Sequence, residues 1–212
     1  FEGDAIVAFW GAPIPQEDHA IRACRCALQM QEALVDIRRL WQTQNRPRIN
    51  IRIGINTGEM VVGNMGGARK FDYTVIGDSV NLASRLEGAN KQYQTGILVS
   101  ERTYEFVKDQ ILGRELDLIA VKGRSAPLKI FELLQLKNGA VGKLMAEFLS
   151  FYGEGLGLYR ERRWHDAKAS FEKALHCKPD DRPSQLYIER AAHYAINPPP
   201  AAWDGVFVMQ TK

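Results

Sequence analysis

The stretch Arg48-Ile49-Asn50-Ile51-Arg52-Ile53-Gly54-Ile55 places an isoleucine at every second position. Successive side chains of a β-strand point to opposite faces of a sheet, so this spacing puts all the isoleucines on one face. The pattern is the clearest strand signal in the chain and predicts a sheet with one buried face. Asn56-Thr57-Gly58 can then turn the chain into a second strand over residues 59–63.

Before this strand, apolar residues recur at the spacing of one helix face. They predict a helix from Glu17 to Gln44, with Glu17 and Asp18 in its first turn, where carboxylates complement the helix dipole. We interpret this helix as core packing without chemistry. Its apolar positions are Ala20, Cys24, Ala27, Leu28, Leu34, Ile37, Leu40 and Trp41.

Other segments of the first 136 residues alternate between strand and helix patterns. A Gly-rich loop is expected over 64–70, and Asp78 or Ser79 is placed to cap the helix that follows it. Strands and helices that intermix around a sheet-based core predict an α+β or α/β class. The further strands are expected at 5–9, 96–100, 115–121 and 128–136, and the further helices at 78–91 and 101–109.

Composition excludes several functional classes. The 212 residues are 45% hydrophobic and 25% charged, which is typical of a soluble globular chain. A formal net charge of +3 gives no concentrated positive field, so we expect no nucleic-acid partner. No apolar run approaches the roughly 18–20 residues of a membrane helix, so we expect no membrane insertion. Cys24, Cys26 and Cys177 lack metal-ligand spacing and favour a reducing compartment.

The pattern changes after Lys137. Residues 143–195 show helical periodicity without a convincing strand, and Asn197-Pro198-Pro199-Pro200 ends the helices. We therefore predict two domains, 1–136 and 137–212. The tail from Trp203 to Met209 is either a last strand or a docking segment, on its own subunit or on a neighbour.

Small and apolar residues in the second part resemble one tetratricopeptide repeat with a partial second, in which small residues allow close helix approach. Two interpretations stay open: a helical extension that packs on the first domain, or an arm that binds a protein partner. The residues at repeat spacing are Gly155, Leu158, Ala167, Phe171, Ala174 and Pro179.

Four positions offer site chemistry before any family is considered. Asp4 follows a glycine beside the first apolar segment, where a carboxylate is either a hard-cation ligand or a solvated turn residue. Asn81 and Arg85 are four apart on the predicted helix, so they share a face and suit a polar ligand with an anionic group, unless they are an ordinary surface pair. Lys122 precedes Gly123 and is a phosphate contact or a surface lysine.

Four blocks of sequence, in this order, resemble the catalytic domain of class III nucleotidyl cyclases, the adenylate and guanylate cyclases. The resemblance covers roughly residues 1–136. It implies an α+β fold with a ferredoxin-like, palm-type sheet flanked by helices, here followed by the small helical extension. The blocks are Gly3-Asp4 through Pro13, Gly54 to Glu59 with Val62-Gly63-Asn64, Tyr73 to Leu86, and Val121-Lys122-Gly123-Arg124.

The resemblance implies cyclisation of a nucleoside triphosphate to its 3′,5′-cyclic monophosphate with release of pyrophosphate. In the family, two divalent ions, Mg²⁺ or Mn²⁺, are held by two aspartates and act on the ribose 3′-hydroxyl and the α-phosphate. Asp4 matches the second of these aspartates, and the first lies upstream of this chain. Arg85 matches the arginine that stabilises transition-state charge, Asn81 the asparagine that positions the ribose, and Lys122 the lysine on the terminal phosphates.

Thr74 matches one of two positions that select the base in this family. Threonine stands here in one group of bacterial adenylate cyclases, and its oxygen can accept a hydrogen bond from the adenine amino group. The other position, a lysine, lies ahead of Phe1. ATP is therefore the expected substrate, and the alternatives are guanylate cyclase activity and a non-catalytic dimerisation or regulatory module.

The resemblance also implies a head-to-tail homodimer with shared sites, because this chain carries residues for both halves. One subunit supplies Asp4 and the metals, and the other supplies Thr74, Asn81 and Arg85. The chain opens at Phe1 without Met, so we expect a piece of a longer chain that by itself turns over little or nothing. We expect a cytoplasmic domain whose parent chain can carry upstream sensory or membrane domains.

Overall fold

The computed structural model describes residues 5–67, 70–120 and 126–208 of the chain, which contain seven strands and six helices. The strands are β1 (Ile53–Ile55), β2 (Val61–Gly67), β3 (Lys70–Ile76), β4 (Ile97–Ser100), β5 (Ile111–Ala120), β6 (Leu128–Leu136) and β7 (Phe207–Val208). The helices are α1 (His19–Thr43), α2 (Asp78–Tyr93), α3 (Glu101–Val107), α4 (Lys143–Arg160), α5 (Trp164–Cys177) and α6 (Arg182–Ile196).

The main sheet has five strands in the order β1-β4-β6-β5-β7. β4 pairs in parallel with β1 and antiparallel with β6, while β5 pairs antiparallel with β6 and parallel with β7. β2 and β3 form a separate antiparallel hairpin in which Val61 lies opposite Ile76. Strands and helices are thus mixed in one structure, and the α+β prediction is confirmed.

The isoleucine-rich strand is much shorter than its pattern predicts. Of residues 48–55, the structure forms a strand only over Ile53–Ile55. These residues pair with Ile97–Val99 of β4, a strand of four residues. Among the described residues no other strand borders β1, so the earlier isoleucines have no backbone partner and the strand ends.

Two local predictions are wrong. Within the segment predicted as a Gly-rich loop over 64–70, residues 64–67 and Lys70 are strand residues of the β2–β3 hairpin, because antiparallel pairing continues to Gly67 opposite Lys70 and satisfies the backbone. In the segment predicted as a strand over 5–9, Ala5 forms a single bridge, residues 6–10 have no regular structure, and Ile6 and Val7 are exposed. A short apolar run alone does not make a strand where backbone pairing does not extend along it.

One side of the sheet is covered by α1 and α3. Cys24 and Ala27 of α1 pack with Val99 and Ile111 of the sheet, whereas Leu40, near the end of α1, is exposed. All three cysteines are free, and burial raises the pKa of the Cys24 thiol to about 12, which keeps it protonated and unreactive. No helix of the described chain has the length and apolarity needed to cross a membrane.

The helices after β6 pack on β5 and α2, so the first of the two interpretations of this segment describes what the structure shows. Leu86 of α2, Leu116 of β5 and Tyr152 of α4 belong to one buried cluster. Within the extension, an added Cβ on Gly155 would lie 3.1 Å from the Phe171 ring, so this glycine permits the close approach of α4 and α5.

A buried arginine joins the extension to the sheet. Arg114 on β5 donates two hydrogen bonds to the Asp181 carboxylate, at 2.9 and 2.7 Å, and one to Glu132 at 2.8 Å. Asp181 also caps α6 by accepting from the Ser184 backbone N–H at 3.0 Å. Burial would raise the pKa of Asp181, but the hydrogen bonds and charge of Arg114 outweigh it and hold this pKa below its ordinary value.

The tail docks on its own chain. Trp203 packs edge-on against Tyr159 and near Trp164 and Tyr194, and the Arg162 guanidinium donates to its carbonyl oxygen. After Trp203, β7 adds a parallel strand beside β5 at Ile119 and Ala120. The tail is therefore both a strand and a docking segment.

Two glycine substitutions should change stability in opposite directions. A Cβ on Gly54 would lie 2.1 Å from the Ala83 carbonyl oxygen and 2.2 Å from the Glu87 nitrogen, both backbone atoms of α2. Gly54→Ala should therefore cost about 3 kcal/mol of unfolding free energy, through overpacking. A Cβ on Gly153, inside α4, would meet nothing within 4 Å. Gly153→Ala should add about 1 kcal/mol, through helix propensity.

The measurement is urea unfolding followed by circular dichroism, with both variants compared with the wild type. A Gly54→Ala chain as stable as the wild type would mean that β1 does not approach α2 as the structure shows.

Candidate active site

The candidate site is built on the segment that runs from β3 into α2. Thr74 lies on β3, half-buried, opposite Gly63 of β2. Gly77 joins the strand to the helix with φ 149°, a conformation that L side chains rarely adopt. The chain turns there within one residue, which places Thr74 just ahead of the first turn of α2.

Gly77 is also the N-cap of α2, which corrects the predicted cap. Its carbonyl oxygen accepts from the backbone N–H groups of Val80 and Asn81, both at 3.1 Å, and no side chain caps the helix. Asp78 and Ser79 lie inside the helix. Asp78 therefore supports the first turn through its charge at the positive end of the helix dipole.

Asn81 and Arg85 lie one turn apart on α2 and are both exposed, whereas Leu82 and Leu86, about 100° further round the helix, are buried. Within the described residues, neither the Asn81 amide nor the Arg85 guanidinium forms a side-chain hydrogen bond or an ion pair. An amide and a guanidinium held side by side, facing away from their own core, suit a ligand or partner with polar and anionic groups.

The loop after β1 holds the first turn of α2 in place. Asn56 donates from Nδ2 to the Ser79 carbonyl oxygen at 3.0 Å and accepts from the Ser100 hydroxyl at 2.7 Å. Next to it, the Thr57 hydroxyl accepts from the Thr103 hydroxyl at 3.1 Å. The sequence predicts a turn at 56–58, which lies in a block that resembles the cyclase family. No local pattern shows that its side chains reach a helix more than twenty residues later.

A second asparagine anchors the other end of α2. Asn90 is fully buried, donates to the Ile53 and Leu86 carbonyl oxygens, each at 3.0 Å, and accepts from the Thr95 hydroxyl at 2.9 Å. The same residue type thus has opposite surroundings at the two ends of one helix. Asn90 is satisfied by the protein, and Asn81 faces outward.

Two of the predicted site residues, Asp4 and Lys122, lie outside the described residues. The segment that follows Asp4 passes β3, since the rings of Phe9 and Tyr73 have centroids 5.9 Å apart. The described residues contain no group of three or more His, Cys, Asp or Glu side chains that could hold a metal ion. Of the predicted site residues, the structure describes Thr74, Asn81 and Arg85, which lie on the segment that runs from β3 into α2.

Comparison with known protein families identifies the part of the chain that contains this segment. The model of the adenylate and guanylate cyclase catalytic domain matches residues 1–135, more than half of the chain. The chain belongs to this family. The cyclase domain is similar to the crystal structure of the adenylyl cyclase CyaB from P. aeruginosa, at 39% identity and a TM-score of 0.57 over 63% of this chain and 68% of that one. The guanylyl cyclase Cya2 gives 34% identity and a TM-score of 0.52 over 60% and 64%.

Curated relatives carry the name adenylate cyclase. Adenylate cyclase 1 of Rhizobium meliloti (strain 1021) is 42% identical over 134 residues, which are 63% of this chain and 20% of that protein. The terminal-differentiation specific adenylate cyclase of Dictyostelium discoideum is 32% identical over 196 residues, 90% of this chain and 9% of that protein. The second match extends into the helical extension, and both relatives are much longer than this chain.

The two asparagines of α2 provide a matched test of the site geometry. Asn90→Ala should lower the free energy of unfolding by about 2–3 kcal/mol, because it leaves buried backbone and hydroxyl groups without partners. Asn81→Ala should change it by less than about 0.5 kcal/mol, because the side chain is exposed. Thermal and urea unfolding of both variants measure the difference. Equal losses would place Asn81 in the folding core and remove it from the site.

Proposed function

We propose that this cyclase domain converts ATP to 3′,5′-cyclic AMP and pyrophosphate. The observation that carries the proposal is the exposed Asn81–Arg85 pair on α2, in a chain of the cyclase family. The rest of α2 is fixed by packing and by Asn90, so these two side chains are presented on a rigid support. A site that is held in place before substrate binds loses little to reorganisation during the reaction.

Each site residue has a role that fits its chemistry. Arg85 offers a fixed positive charge for the phosphate as negative charge develops in the transition state, and Asn81 orients the ribose. Lys122 neutralises the terminal phosphates. The carboxylate of Asp4 is an oxygen ligand of the kind that hard divalent cations prefer, although it lies outside the described residues.

Divalent metals are generally used in this family. We propose two such ions, Mg²⁺ or Mn²⁺, with Asp4 as the ligand from this chain. Bound there, they would supply positive charge for the attacking hydroxyl and the leaving group.

ATP is the proposed nucleotide because the Thr74 hydroxyl can accept a hydrogen bond from an adenine amino group. The adenylate cyclase names of the two relatives agree with this choice. GTP remains the second candidate, because the guanylyl cyclase Cya2 is also similar to this chain. We further propose that the domain works in the cytoplasm, where both nucleotides are present.

We propose a head-to-tail homodimer in which each site uses residues of both subunits. Val61 and Ile76 lie opposite each other on the face of the β2–β3 hairpin that also carries Thr74, and both residues are more than half exposed. Clustered exposed apolar side chains of this kind mark association surfaces. A second copy seated on the hairpin would bury them and close the site.

The first test is cyclic-nucleotide formation by the whole natural protein, given ATP and GTP separately with Mn²⁺. We expect cyclic AMP from ATP and a loss of about 100-fold or more in kcat for Asn81→Ala and for Arg85→Ala. Arg102→Ala, an exposed arginine on α3, is the matched control and should keep wild-type activity. Cyclic GMP as the main product would overturn the role of Thr74. No product from a folded dimer would favour a non-catalytic regulatory module.

The shared site can be tested by mixing two inactive chains. Asp4→Ala and Arg85→Ala damage different halves of the proposed site, so a mixed dimer keeps one intact site. Random mixing should restore about a quarter of wild-type activity, because half of the dimers are mixed and each has one working site of two. Activity is measured after co-refolding or co-expression. No recovery, with mixed dimers shown to form by differential tagging, would exclude a site built from both subunits.

A further inference from the structure

A buried three-residue network connects the helical extension to α2. Arg190 on α6 donates from Nη1 to Oδ2 of Asp117 on β5 at 2.6 Å. Tyr93, the last residue of α2, donates its hydroxyl to the same oxygen at 2.6 Å. The other carboxylate oxygen accepts from the Leu118 backbone N–H at 2.8 Å. One carboxylate on the sheet therefore holds an arginine from the extension and a tyrosine from the site helix.

The network is inside the protein. The side chains of Arg190 and Asp117 are 10% and 3% exposed, and Tyr93 is fully buried. Burial and the Asp117 charge both raise the pKa of Tyr93, so its hydroxyl stays protonated and can donate. Arg190 also lies against aromatic rings, with its guanidinium carbon 3.7 Å from the centroid of Phe207 in the tail.

Removal of Arg190 would leave a buried carboxylate without its counter-charge. A buried ion pair is costly to break from one side, because the remaining charge must be hydrated or neutralised. Either response moves Asp117 or admits water beside it, and the Tyr93 hydroxyl loses a fixed acceptor. The end of α2 is thus held by a residue that lies outside the cyclase family match of residues 1–135.

The site residues lie on the same helix, two to three turns before Tyr93. At 1.5 Å per residue, Asn81 is about 18 Å from Tyr93 along the axis. A tilt of about 3° at that end moves Asn81 by about 1 Å, and misplacements of this size can cost up to about 100-fold in rate. The Asn56 and Asn90 hydrogen bonds limit such a tilt, so the loss expected from one anchor is smaller.

We propose that Arg190 is a positioning residue for the cyclase reaction: through Asp117 and Tyr93, the helical extension fixes the orientation of α2 and hence of Asn81 and Arg85. The proposal rests on the proposed function. It makes the extension a part of the site's support, although none of its residues is among the proposed substrate contacts.

The test compares two buried or half-buried arginines of the extension in the whole natural protein. Arg190→Gln breaks the link to α2. Arg160→Gln is the matched control, because Arg160 joins α4 to Glu115 on the same strand, and among the described residues it makes no hydrogen bond to α2. We expect Arg190→Gln to lower kcat with ATP by about 3- to 10-fold with little change in KM, because the loss is in transition-state alignment. Arg160→Gln should stay within about twofold of wild type.

Two more variants separate positioning from general destabilisation. Tyr93→Phe removes only a hydroxyl and should reproduce the fall in kcat, and it keeps the test open if Arg190→Gln does not fold. Arg190→Lys should recover part of the rate, since an ammonium group can still pair with Asp117. Equal losses in Arg190→Gln and Arg160→Gln, or a Tyr93→Phe variant with wild-type kcat, would overturn the proposal.

Amide hydrogen exchange gives a readout that does not depend on activity. The amides of α2 over residues 78–93 should exchange faster in Arg190→Gln and Tyr93→Phe than in Arg160→Gln, at a temperature where all are folded. If wild-type protein makes no cyclic nucleotide, the proposed function fails, and the exchange pattern still shows whether Arg190 holds α2. If exchange in α2 is the same in all variants, the positioning role fails, whatever the activity.

Discussion

The arrangement of this chain depends on one buried guanidinium, that of Arg114. It lies on β5 between Glu132 of the neighbouring strand and Asp181 at the start of α6, with its guanidinium carbon 4.3 Å from the Tyr152 ring centroid. Lys178 Nζ also lies 3.2 Å from Oδ1 of Asp181, so two cations balance the two carboxylates. Removal of Arg114 would take from buried Glu132 its ion-pair partner, and a buried charge without a partner costs several kcal/mol. The geometry of the extension is therefore fixed by charge as well as by apolar contact.

Asp181 has two structural roles at once, as the ion-pair partner of Arg114 and as the N-cap of α6. The same carboxylate that pairs with Arg114 also caps α6, through the Ser184 backbone N–H and hydroxyl. A capping bond satisfies a backbone N–H that the helix itself leaves unpaired. The helix α6 also carries Arg190. Because the Arg114–Asp181 ion pair fixes the start of this helix, it also determines where Arg190 meets Asp117. Two ion pairs with β5 thus place one helix at two points along its length, and α2 is packed beneath it.

The sequence predicted the parts of this fold that are encoded by local repetition. β6 was predicted with the bounds that the structure has, and α1, α2 and β4 within a few residues, because periodicity and end signals lie within each segment. The predictions over 5–9 and 64–70 failed because a strand depends on the neighbour with which it pairs. The predicted boundary near 137 falls in the connection between β6 and α4, yet Leu116 and Tyr152 on either side of it share one core.

In the candidate site, too, the sequence predicts the residues of a local motif and does not predict the residues that support them. Asn81 and Arg85 are candidates because of their four-residue spacing on a predicted helix, and the resemblance to a known family adds Thr74 and gives all three residues their expected roles. The sequence predicts no role for the residues that hold them: Asn56 lies in one of the four blocks and Tyr93 outside all of them, and each acts through a contact with a distant segment.

The polar residues of α2 differ in a way that relates stability to function. Asn90 and Tyr93 are buried and fully engaged, whereas Asn81 and Arg85 face outward from the first half of the helix, without a side-chain hydrogen bond among the described residues. In natural proteins, most side chains agree with the fold in packing and in hydrogen bonding. The residues that do not are concentrated at functional sites. An exposed amide and guanidinium contribute little to folding, so the elaborate support beneath them is better explained by a ligand that they must meet in one orientation. Under the proposed role of Arg190, the extension adds to that support from outside the family domain and would belong to the catalytic unit, because it would fix the orientation of α2.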